Sequence, residues 1–189
     1  MKNDIITLLY TEENLVNAGT AGSTPAESFS LEEAERILLV YDYADKEEVE
    51  ACLAGIKGKQ KWLHLIFSET PIPEVDMTPE KLVCTRKELN TRGFPPEALV
   101  EKVKSLKADL LIDLTTDVCY PLLYMVVQHP AGMKVGVKKP LGEFYDFSLA
   151  LNSREKISYI WQQIVFYLQS FRTNNRIFLF LQEIKRFVN

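Results

Sequence analysis

The chain has 189 residues, of which 47% are hydrophobic and 25% are charged, and its formal net charge is −4. This length suits one domain with a sizeable core. An acidic chain without a dense run of lysine and arginine argues against a nucleic-acid partner. Because no apolar run approaches the ~20 residues of a membrane span, and because the first residues lack the pattern of a secretory signal, we expect a cytoplasmic protein without a transmembrane segment.

The cysteines and histidines offer little material for a catalytic or metal centre. Cys52, Cys84 and Cys119 are widely spaced, which favours reduced thiols over a disulfide framework or a zinc site. His64 lies inside an apolar run and His129 precedes a proline, so a histidine-based triad is not indicated. The sequence therefore predicts no catalytic residue and no metal ligand.

The chain begins with a predicted N-terminal arm and linker, residues 1–30, which ends in small polar residues. The predicted strands and helices come after it. Residues 31–172 alternate apolar runs with helical patterns. The predicted strands are 37–41, 62–67, 81–85, 109–114, 133–137 and 144–149, and the predicted helices are 45–56, 95–106, 118–128 and 152–171. This order predicts an α/β fold, a single three-layer Rossmann-like sandwich with a mainly parallel sheet and with strands one and four adjacent.

The sequence predicts a C-terminal amphipathic helix over residues 173–189. The stretch RIFLFLQEIKRFVN (176–189) combines an apolar stripe with basic residues. Such a helix could lie on a membrane surface. Because aromatic-rich helices more often belong to a core or an interface, we expect it to dock on its own domain or on a partner. The predicted partner is thus a second copy of the chain, forming a homodimer, or another protein, bound through the C-terminal helices.

Polar residues gather where the predicted first and fourth strands end. If these strands are neighbours, their carboxyl ends meet at the topological switch point, where open α/β sheets bind ligands. Carboxylates and a lysine there could hold Mg²⁺ and a phosphate, since hard oxygen ligands suit that ion. The candidate ligand-binding residues are Asp42, Asp113, Thr115, Thr116, Asp117 and Lys138.

The same residues also have a structural interpretation. Thr116 and Asp117 stand at a strand-to-helix junction, where side-chain oxygens satisfy orphan N–H groups, so one of them is predicted to cap the next helix. Asp42 and Asp113 each end an apolar run, where a desolvated carboxylate needs partners. The turn YDYADKEE (41–48) contains no glycine, which disfavours a dinucleotide or a nucleoside triphosphate at that turn.

A second candidate ligand loop lies at KVGVKKPLGEFYDF (134–147). Gly136 and Gly142 allow close backbone approach, and Tyr145 and Asp146 follow directly. A plain strand–turn–strand link is the alternative, because glycine and proline are the usual turn residues.

Several segments together resemble an uncharacterised family of small Bacteroidetes proteins, a domain of unknown function. These segments are SLEEAERILLVYD (30–42), LVCTRKELNTRGFPP (82–96), ADLLIDLTTDVCYPLLYMVVQHPAGMKVGV (108–137) and FYDFSL (144–149). The resemblance covers about residues 30–170 and implies a fold without implying any chemistry.

Two of the segments also resemble the N-terminal acceptor half of heptosyltransferase-like GT-B glycosyltransferases. DLLIDL (109–114) and MKVGV (133–137) match a strand, an apolar helix and a second strand in that family. The family's Gly-rich loop with a catalytic aspartate is replaced here by DYADKEE (42–48). Because the nucleotide-sugar half does not fit in this length, the resemblance implies a half-domain and not a complete glycosyltransferase.

These observations predict a cytoplasmic binding or protein-interaction module without catalysis and without a cofactor. The alternative is a metal-assisted enzyme, or a binder of a phosphate- or sugar-containing ligand, at the ends of the strands that carry Asp42 and Asp113, with Mg²⁺ as the ion.

Overall fold

The computed structural model describes residues 31–56, 58–151 and 155–169. The predicted arm (1–30) and the predicted C-terminal helix (173–189) lie outside these residues. The described elements are β1 (Arg36–Asp42), α1 (Lys46–Ala54), β2 (Lys61–Ser68), β3 (Lys81–Thr85), α2 (Glu97–Ser105), β4 (Leu110–Asp113), α3 (Tyr120–Gln128), β5 (Met133–Val137) and β6 (Phe147–Leu149), followed by helical residues 157–169, here α4.

The six strands form one parallel sheet in the order β3-β2-β1-β4-β5-β6. β1 and β4 are central neighbours, and Val40 pairs with Asp113 in their register. Residues 37–41 of β1 are buried without interruption, as expected of a central strand that is covered on both faces. The predicted α/β Rossmann-like sandwich, with strands one and four adjacent, is confirmed.

Two helical layers divide the core. Side chains of β1 alternate between the two faces of the sheet, so Ile37, Leu39 and Tyr41 pack with α1 and α4. Leu38 and Val40 pack on the opposite side with α2 and α3. Asp42 and Asp113 continue the second alternation and therefore lie at the carboxyl edge on the α2/α3 side.

Helix α3 begins two residues later than the sequence pattern predicts. Its N-cap residue is Cys119, and Pro121 lies in its first turn. Proline is favoured there because its fixed φ suits a helix start and because the N–H that it lacks would have no partner in the helix. The prediction that Thr116 or Asp117 caps this helix is therefore wrong.

Candidate functional site at the carboxyl edge of the sheet

Asp113, the last residue of β4, is the centre of a buried hydrogen-bond network. The residue is 1% exposed. Its Oδ1 accepts hydrogen bonds from the backbone N–H of Thr115 at 2.8 Å and from the Thr115 hydroxyl at 2.6 Å. Its Oδ2 accepts one from the Tyr145 hydroxyl at 2.6 Å. A buried carboxylate is costly without partners, and these three donors supply them.

Lys139 adds a buried positive charge to this network. It is 2% exposed, and its Nζ donates to Thr115 Oγ1 at 2.9 Å and also to the Thr115 carbonyl oxygen. The Thr115 hydroxyl thus accepts from the ammonium group and donates to the Asp113 carboxylate. This arrangement connects two buried opposite charges through one side chain, so that each offsets the desolvation cost of the other.

Tyr145 reaches Asp113 across β5 because residue 136 is a glycine. Gly136 pairs with Asp113 in the register of the sheet, and a Cβ at Gly136 would lie 2.8 Å from Cε1 of Tyr145. Burial and the neighbouring Asp113 charge raise the pKa of Tyr145 far above its ordinary value. The hydroxyl therefore remains protonated and can donate to the carboxylate.

Asp42 has a separate partner at the end of β1. It is half-buried, and its Oδ1 accepts a hydrogen bond from the backbone N–H of Ala44 at 2.9 Å, capping the 3-10 turn Tyr43–Asp45. Burial, and secondarily the charges of Asp113 and Asp42, raise the pKa of the Cys119 thiol to about 12. The candidate residues predicted from the sequence did not include this thiol.

The remaining candidate residues lie nearer the surface. Thr116 is half-buried and Asp117 is exposed. Lys138 points to solvent and pairs with Glu143 at 2.7 Å between Nζ and Oε1. The network therefore holds Asp113 and Thr115 from the candidate set, together with Lys139 and Tyr145, which belong to the second candidate loop, 134–147.

A second cluster of polar side chains joins the connection between β2 and β3 to the start of α1 by hydrogen bonds. The Tyr43 hydroxyl donates to Asp76 at 2.5 Å, and the Lys46 ammonium group donates to the other oxygen of Asp76. The hydrogen bond from Lys46, and then that from Tyr43, lower the pKa of Asp76. The Asp76 carboxylate therefore stays ionised and serves as an acceptor for both.

The part of the chain that the structure describes has no group of three or more His, Cys, Asp or Glu side chains placed to hold a metal ion. Within the same residues, no helix has the length and apolar character needed to cross a membrane. Cys52, Cys84 and Cys119 are all free thiols.

Comparison with known proteins identifies a family. Residues 9–171 match a family of unknown function, DUF6913, and the chain belongs to this family. No curated protein and no solved structure matches it significantly. The matched region contains every strand and helix described above.

Proposed function

We propose that this DUF6913 member is a binding or protein-interaction module that performs no catalysis, and that the Asp113 network holds its carboxyl edge in a fixed shape. The observation that supports this most is the state of Asp113, whose two oxygens accept three hydrogen bonds inside the protein. A general base or nucleophile must reach a substrate atom. This carboxylate instead contacts its own chain.

The network fixes the connection between β5 and β6, residues 138–146. Lys139 and Tyr145 lie near the two ends of this connection, and both bind residues that follow or end β4. The connection joins two parallel neighbouring strands without a helix. The two side-chain contacts add to the backbone hydrogen bonds that its ends, Lys138 and Asp146, donate to Leu149 and Lys134. A connection held in this way suits the binding of a partner or ligand at the carboxyl edge of the sheet, because preorganised surfaces lose less entropy on binding.

The partner surface in this proposal lies on the C-terminal helices, α4 and residues 173–189, and the partner is a second copy of the chain or another protein. Tyr159 and Phe166 of α4 are exposed, and exposed aromatic side chains favour interfaces. Light scattering on the full chain should report a mass above that of the monomer, and truncation after Phe171 should reduce it. Unchanged mass would contradict the homodimer.

The alternative function is a metal-assisted enzyme, or a binder of a phosphate- or sugar-containing ligand, at the strand ends with Asp42 and Asp113. The observation that favours it is that β1 and β4, which end in Asp42 and Asp113, are neighbours at the switch point of the sheet. Thr115, Thr116, Asp117 and Lys138 would complete that site.

Titration with MgCl₂ or MnCl₂ separates the two functions. A ligand that binds only the folded state raises the melting temperature. We expect no saturable rise in the wild-type protein. A rise that Asp42→Asn or Asp113→Asn abolishes, while Glu74→Gln on an exposed turn retains it, would establish the metal site and contradict the proposal.

Two further features of the chain are part of the proposal. The succession of β4, α3 and β5, with β4 and β5 as parallel neighbours, supports a half-domain related to the acceptor side of heptosyltransferase-like GT-B enzymes. The free thiols support a reducing, cytoplasmic compartment. The Bacteroidetes origin stays a prediction.

A further inference from the structure

A mostly apolar groove lies on the surface between α1 and α4, the two helices that cover one face of the sheet. Its volume is about 300 Å³, and it is lined by Glu48, Ala51 and Cys52 of α1 and by Ser158, Trp161 and Gln162 of α4. The Trp161 ring packs on Trp62 with 5.9 Å between the ring centroids. The floor of the groove is therefore fixed by the core, and the groove is preformed.

We propose that residues 176–189 of the same chain occupy this groove as a helix antiparallel to α4. In the sequence RIFLFLQEIKRFVN, Ile177, Phe180, Ile184 and Phe187 recur at spacings of three and four residues. As a helix, this segment carries one apolar stripe of the kind that packs on another helix. Gln182 and Arg186 then lie on the opposite side.

The length of the chain fits this placement. Residue 169 of α4 follows Trp161 by eight positions, and Ile184 follows Arg176 by eight positions. At the helical rise, both stretches measure about 12 Å, so an antiparallel helix brings Ile184 level with Trp161. Residues 170–175 include Thr173, Asn174 and Asn175, whose side chains favour the short turn that joins two antiparallel helices.

Charge favours the same groove. Helix α1 carries Glu47, Glu48 and Glu50, and Glu48 lines the groove. Residues 172–189 contain four basic side chains and one acidic side chain. The segment is therefore complementary in net charge to the acidic helix. Opposite charges at the rim of an apolar contact fix its register and exclude wrong partners.

The segment from the same chain is a better occupant than a second copy. A short tether keeps it at an effective concentration of about 1 mM, above the usual concentration of free chains. The chain's own segment occupies the groove whether or not a partner binds the outer face of α4. Docking would place the helix of residues 176–189 beside α4, so that a partner would meet both helices on one surface.

Native Cys52 in the groove allows a direct test on the full chain. Under mild oxidation, Ile184→Cys should form a disulfide with Cys52 within one chain, because docking brings their Cα atoms to the ~6 Å that a disulfide requires. Gln182→Cys has nearly the same tether but faces away, and its disulfide should form at least ~10-fold more slowly. Peptide mass mapping without reduction identifies the joined cysteines and distinguishes them from Cys84 and Cys119.

The rates of disulfide formation in the two cysteine variants decide whether the segment lies in the groove. Equal rates for the two variants would overturn the inference. A Cys52 disulfide that joins two chains would assign the groove to a second copy instead. A separate measurement avoids the new cysteine: Ile184→Asp should increase the rate at which a thiol reagent modifies Cys52 by about 10-fold, since it places a charge against the apolar groove. No increase over Gln182→Asp would equally contradict it.

Discussion

Asp113 and Gly136 depend on each other across two neighbouring strands. The carboxylate needs the Tyr145 hydroxyl, and the Tyr145 ring can approach only because residue 136 has no side chain. Neither requirement is visible in the local sequence, because Tyr145 follows Asp113 by 32 residues. Gly136 therefore leaves room for a donor to this buried carboxylate, and buried polar groups are almost always hydrogen-bonded.

Substitution of this glycine tests the contact. Gly136→Ala places a methyl group 2.8 Å from the Tyr145 ring, which should displace the ring and lower the free energy of unfolding by about 2–3 kcal/mol. Gly55→Ala is the matched control, because its nearest contact is 3.7 Å away, and it should change the stability by less than about 1 kcal/mol. Urea unfolding measures both variants. Similar values would show that the ring contact is unimportant.

Among the elements, the connection 138–146 contains no helix or strand beyond the isolated bridge between Lys139 and Gly142, and the Tyr145 side chain binds it to the end of β4. Tyr145→Phe removes the donor to Asp113 Oδ2 and should cost about 1–2 kcal/mol. Amide hydrogen exchange should accelerate in residues 138–146 while β1 keeps its protection. Tyr159→Phe, on the exposed side of α4, should change neither quantity. Uniform acceleration across the sheet would contradict a local role.

The strands and their order were predictable from the sequence because they depend on patterns that extend over whole elements. The unbroken apolar run of β1 indicates a central strand, and right-handed crossovers then leave few sheet orders. Lys138 and Lys139 are adjacent and chemically identical, so the sequence could not indicate which one turns inward. The path of the connection decides this, since it brings Lys139 against the Thr115 carbonyl oxygen.

The start of α3 also could not be predicted from the sequence alone. Threonine, aspartate and proline all favour helix starts, and the sequence places Thr116, Asp117 and Pro121 within six residues of each other. The proline determines the start in this structure. Competing local signals of similar strength cannot be ranked without the tertiary contacts.

At the scale of the whole molecule, two buried histidines make the stability depend on pH. Burial, and secondarily the nearby Lys81, lower the pKa of His64 to about 4. Burial, and secondarily Lys134, lower the pKa of His129 to about 4. Both values lie below the ordinary value near 6.5. The unfolded chain therefore binds protons first as pH falls, so stability is fully present above about pH 6.5 and is lost as pH falls toward 4.

Urea unfolding at pH 7.5 and pH 5.5 measures this loss. Each histidine should contribute about 1 kcal/mol of lost stability between these conditions, a range in which ordinary carboxylates remain mostly ionised. The unfolding reaction should take up protons at pH 5.5. Equal stability at the two pH values would contradict the burial of neutral imidazoles.

A double-mutant cycle of Asp113 with Lys139 separates a structural role of Asp113, which we propose, from a role in a reaction. Substitution of a catalytic residue commonly leaves stability unchanged or raises it. We predict instead that Asp113→Asn and Lys139→Met each lower the free energy of unfolding by about 2–4 kcal/mol, because each leaves the opposite charge buried without compensation.

The double variant should lose at least about 1 kcal/mol less than the sum of the single losses. Urea unfolding of the four proteins at pH 7.5 gives this coupling energy. An Asp113→Asn protein as stable as the wild type, or strictly additive losses, would contradict the structural role of the network.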